Sequence, residues 1–77
     1  MTFEPANKTI FVTLINGSVV DSIYVLVGKI KLKDSTITDY DINDVVLFAA
    51  AAALPIIFGG VAYRAIKETD ILSKVIL

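Results

Sequence analysis

Two runs rich in β-branched and aromatic residues lie in the first half of the chain, Thr9-Ile10-Phe11-Val12-Thr13-Leu14-Ile15 and Val19 through Val27, separated by the polar triplet Asn16-Gly17-Ser18. Asn-Gly is a favoured pair for a two-residue hairpin turn because both central positions need positive φ. The pattern therefore predicts an antiparallel hairpin with strands near Thr9–Ile15 and Ser18–Val27. The second strand extends into Gly28-Lys29-Ile30-Lys31-Leu32-Lys33, where a period of two puts three lysines on one face and predicts a half-wet end. Beyond Asp34, residues Ser35 to Tyr40 suit either a short third strand or a plain turn.

The pattern then changes, because the 19 residues from Val45 to Tyr63 carry no charge at all. As a helix this run spans roughly 28 Å, close to the roughly 30 Å hydrocarbon core of a bilayer. It also lacks the polar face that a helix on a water-exposed surface carries. Asp41, Asn43 and Asp44 offer N-cap oxygens at its start, Pro55 introduces a kink, and Tyr63 with Arg64 forms the expected membrane-interface pair at its end. At helical spacing Ala49, Ala52, Ala53, Ile56, Gly59 and Gly60 share one stripe, the expected helix-packing interface, since short side chains let a second helix approach closely. After Arg64, the spacing of Ile66, Ile71, Leu72, Val75 and Ile76 among charged residues suits an amphipathic helix.

Together these elements predict an α+β membrane protein in three parts. Residues 1–44 form a β-rich extramembrane docking region, 45–63 one transmembrane α-helix, and 64–77 a short amphipathic interfacial tail. A rival reading makes Ile10 to Val27, 18 residues without a basic group, a first membrane helix. Against it stands Asp21, which near a helix centre costs about 2.5–3.5 kcal/mol on insertion scales. A further alternative buries the central helix inside a multi-subunit protein core.

Composition narrows the function classes. Of 77 residues 56% are hydrophobic and 19% charged, against about 45–50% and about 25% in soluble domains, so a lone water-soluble monomer is not expected. The chain has no Cys and no His, which removes disulfides, thiolate or imidazole metal ligands, and Cys-His or Ser-His-Asp catalysis within one subunit. The net charge of −1 divides into −2 before Val45, zero through Tyr63 and +1 from Arg64 onward. That distribution lacks the basic footprint of a nucleic-acid binder, so no nucleic-acid partner is expected. The start Met1-Thr2-Phe3-Glu4-Pro5 lacks the basic and apolar regions of a cleaved secretory signal.

No motif with specific chemistry survives inspection. Asp39 to Asp44 begins like a calcium loop, but the sixth position is Asp44 rather than Gly and the twelfth is Ala50 rather than Glu. Asn7-Lys8-Thr9 and Asn16-Gly17-Ser18 satisfy the glycosylation triplet, a pattern common by chance. No catalytic, cofactor-binding or metal-ligating residue is assigned. The expected function is a small, non-enzymatic, integral membrane structural subunit whose partners are a lipid bilayer and the other protein subunits of an assembly. A minor virion protein linking a capsid to an internal membrane has this layout, which would place the chain in that membrane. The alternatives are a two-span holin-like or regulatory membrane protein and an accessory subunit of a cellular membrane complex.

Overall fold

The computed structural model describes residues 3–20 and 23–76. Every regular element among them is a strand or a three-residue 3-10 turn. The strands are β1 (Thr9–Val20), β2 (Ile23–Lys33), β3 (Val45–Ala49), β4 (Leu54–Phe58), β5 (Val61–Lys67) and β6 (Ile71–Val75), and the turns are Ala50–Ala52 and Glu68–Asp70. They form one sheet in the order β4-β5-β1-β2-β3-β6, with every neighbouring pair antiparallel.

The connections force this sheet to curl. Both β3 to β4 and β5 to β6 join strands that stand four places apart in the order, about 19 Å across a flat sheet at ~4.8 Å per strand. The four steps from Lys67 to Ile71 reach at most about 14 Å even fully extended, and the intervening 3-10 turn shortens them further. A strongly coiled, barrel-like sheet is the only arrangement that brings those ends together. The edge strands β4 and β6 are not paired with each other, so the barrel is open.

Two bulges bend the long β1–β2 pair. Phe11 faces Leu32 and Val12 faces Ile30, which leaves Lys31 as an extra residue; Leu14 faces Gly28 and Asn16 faces Val27, which leaves Ile15 extra. The bulge at Lys31 breaks the expected face of three lysines, because it puts Lys33 opposite the buried Ile10. Lys33 then reaches around the end of the core, where its Nζ donates to the Ile37 carbonyl at 2.7 Å. Gly28 leaves room for two core side chains: an added Cβ would lie 2.8 Å from Val12 Cγ2 and 3.0 Å from Phe48 Cε1.

The interior holds Ile10 and Val12 from β1, Ile30 from β2, Val46 and Phe48 from β3, Ile66 from β5, and Ala53. Ile37 closes one end of this core from the loop 34–44, which is a series of turns and bends rather than a third strand. Asp34 anchors that loop. Its carboxylate accepts from the backbone N–H of Lys8 at 2.7 Å and of Thr36 at 3.1 Å, and these bonds, that of Lys8 foremost, hold the group below its ordinary 3.8.

Several expectations are corrected. The chain is an all-antiparallel β structure, not an α+β membrane protein, and no helix among the described residues is long and apolar enough to cross a membrane. The uncharged run 45–63 divides into β3, the Ala50–Ala52 turn, β4, the Gly59-Gly60 turn and the start of β5. With that, the transmembrane helix and the integral-membrane placement that rested on it are withdrawn. The run lacks a polar face because strands alternate: β3 sends Val46 and Phe48 inward, while Val45, Leu47 and Ala49 lie half-buried on its other side. The amphipathic tail helix is likewise replaced by the end of β5, a turn and β6. The rival membrane helix over 10–27 is also overturned, since β1 and β2 pair along their lengths. That hairpin does not turn at Asn16-Gly17. The ladder passes through both residues to Val20 opposite Ile23, and residues 21 and 22 between them lie outside the described residues.

Candidate docking face

The turn chemistry expected of Asn16-Gly17 is found at Gly59 and Gly60. Their φ values of 58° and 78° give the two successive left-handed residues that a tight turn between twisted strands requires. The turn joins β4 to β5, with Phe58 opposite Val61, Ile57 opposite Ala62, Ile56 opposite Tyr63 and Pro55 opposite Arg64. Paired residues share a face, so Pro55, Ile57, Ala62 and Arg64 lie on one side of the hairpin and Leu54, Ile56, Phe58, Val61 and Tyr63 on the other. Pro55 is compatible with a strand here because β4 is an edge.

The second side is partly covered. Phe3 lies across it, with ring centroids 3.8 Å from Phe58 and 5.4 Å from Phe11, and Phe11 in turn lies 6.1 Å from Tyr63. Leu54 nevertheless stays 69% exposed and Val61 43% exposed. The first side is continuous with the interior, since Arg64 also pairs with the buried Val12. The hairpin runs past the core, however, and leaves Ile57 80% exposed.

A cleft of about 380 Å³ opens between this arm and β1. Leu14, Pro55, Ile57 and Ala62 contribute apolar walls, Thr13 and Tyr63 contribute hydroxyls, and Arg64 is its only charged residue. Arg64 is half-buried, and its guanidinium has neither an acidic partner nor a hydrogen bond among the described residues. Lys8, Lys67 and Lys74 contrast with it. Nζ of Lys8 donates to the Thr36 carbonyl, that of Lys67 to the Asn7 carbonyl and Thr9 Oγ1, and that of Lys74 to the Asp39 carbonyl. Lys74 also lies 3.5 Å from Asp44 Oδ2 and 5.3 Å from the Tyr40 ring centroid.

The expected site residues are scattered through this architecture. Ala49 ends β3 opposite Val25, Ala52 belongs to the 3-10 turn, Ala53 is buried in the core, Ile56 lies mid-β4, and Gly59 and Gly60 form the hairpin tip. They do not make one stripe. Tyr63 and Arg64 are strand neighbours on opposite faces of β5, and both border the cleft. Asp44 caps a turn rather than a helix: its carboxylate accepts from the Asp41 backbone N–H at 2.9 Å, which with nearby Lys74 lowers its pKa. Sequence reasoning did not single out Leu14 as a surface group. The available signal for the arm was Gly59-Gly60, a two-residue turn pair between two β-branched and aromatic runs.

Among the described residues no group of three His, Cys, Asp or Glu side chains could hold a metal ion. Compared with family models, with curated proteins and with solved structures, the chain matches none.

Proposed function

We propose that this chain is a small non-enzymatic structural subunit that docks onto other protein within a larger assembly. The observation that carries the reading is the uncharged stretch 54–63 of the β4–β5 arm, which extends past the core with Leu54, Ile57 and Val61 exposed. Ile57 borders the cleft while Leu54 and Val61 are exposed on the arm's other side, and apolar surface gathered on a projecting arm in this way marks an interaction site. The carboxylates with lowered pKa support a non-enzymatic reading, since Asp34 and Asp44 are committed as acceptors closing turns. A minor virion protein and an accessory subunit of a cellular complex both need this property, a compact support that presents an apolar arm.

The test is sedimentation of native extract with mass analysis of the fraction holding the chain. The parent is expected to travel with other protein chains, far above its own 8.3 kDa. Ile57→Asp, which places a charge on the most exposed large apolar side chain of the arm, is expected to return it to its own mass. A parent chain migrating alone, or recovered only with lipid vesicles, would overturn the reading.

A further inference from the structure

We infer that the cleft beside the β4–β5 arm selects a protein partner that inserts a carboxylate side chain flanked by apolar residues, with Arg64 as its counter-ion. The inference rests on the docking role proposed above and names the chemistry of the partner. Arg64 lines a cleft whose other walls are apolar or hydroxyl-bearing, and no acid of this chain pairs with it among the described residues. Lys8, Lys33, Lys67 and Lys74 all end on oxygens of this chain, and neither Lys29 nor Lys31, which like Arg64 show no such bond among the described residues, lines the cleft. A planar guanidinium held on a strand matches a carboxylate through two parallel hydrogen bonds, and its weak hydration suits it to a buried interfacial pair.

The position fits this role. Arg64 lies opposite Pro55 on β4 and opposite Val12 on β1, so strands on both sides hold its backbone. Leu14, Ile57 and Ala62 surround it with apolar surface. A partner side chain entering here displaces water from the charge and strengthens the pair, while its apolar neighbours cover Ile57 and Leu14. The cleft opens to solvent along one side, which favours a side chain delivered by a larger interface over a free small molecule enclosed on its own.

Three variants are compared in the native assembly, each first checked for a thermal unfolding transition like that of the parent. Arg64→Gln keeps much of the stem and loses the charge, and its incorporation is expected to fall about tenfold or more. Arg64→Glu opposes the incoming carboxylate and is expected to fall further. Arg64→Lys is expected to retain part of the incorporation. It also places an amine in the cleft, which a water-soluble carbodiimide couples directly to a contacting carboxylate. Mass analysis should then place the cross-link on Asp or Glu with apolar neighbours in another protein chain. Normal incorporation of Arg64→Gln and Arg64→Glu while Ile57→Asp is excluded would overturn the carboxylate partner and leave the docking role standing. Normal incorporation of all these variants would overturn both. A requirement for Arg64 that is met by vesicles of anionic phospholipid, with no cross-link to protein, would assign the cleft to lipid headgroups and overturn the inference.

Discussion

Individual residues carry different kinds of constraint here, and the glycines separate them. Gly59 and Gly60 have open space around the position of a Cβ, so substitution there is opposed by the left-handed backbone alone. Gly59→Ala or Gly60→Ala is expected to destabilise the fold by about 1–2 kcal/mol, read by denaturant unfolding. At Gly28 the constraint is packing, because Val12 and Phe48 already occupy the space a methyl group needs. Gly28→Ala is expected to cost about 1–3 kcal/mol in the same measurement. Asp34 adds a dependence on pH. Its folded-state pKa lies below the ordinary 3.8, so its stabilising contribution is present above that value and is lost as pH falls through and below it. Asp34→Asn should lower stability at neutral pH and flatten the decline on acidification, as followed by melting temperature between pH 7 and pH 2.5.

At the scale of elements, the first half of the sheet was readable because its β-branched runs are short, bounded and paired across one hairpin. The turn was misplaced because Asn16-Gly17 matches a local preference, while the ladder that runs through it to Val20 is set by pairing along the whole of β2. The second half was misread for a different reason. An uncharged run of bilayer length and a set of short strands with one side in a core and the other docked or half-buried have the same composition. Only Pro55 and Gly59-Gly60 distinguish them, and both were absorbed into a helix as a kink and as small packing residues. The cleft was not legible, since it depends on β5 pairing with β1 across some fifty residues of chain. Arg64 was singled out, but as a membrane anchor. Because Ile57 is 80% exposed, Ile57→Asp should change folding stability by no more than about 0.5 kcal/mol while removing docking, a contrast that unfolding and sedimentation measure separately.

At the scale of the whole molecule, the short link from Lys67 to Ile71 has a consequence for the order of assembly during folding. β6 pairs only with β3, yet it is tied to β5, which pairs with β1 and β4. Once β5 is seated on β1, the link lets β6 reach β3 only when the sheet has curled, so a chain that seats β5 first closes β6 last. Until it closes, the outer ladder of β3 is an acceptor for any identical strand, and a short hinge favours exchange of a terminal element between copies. Refolding at high concentration should therefore yield dimers that have traded β6, separable only by unfolding, whereas dilute refolding should yield single chains. Native mass measurement after both treatments reads the difference, and lengthening the Glu68–Asp70 turn with glycines should abolish it by letting each copy recapture its own strand.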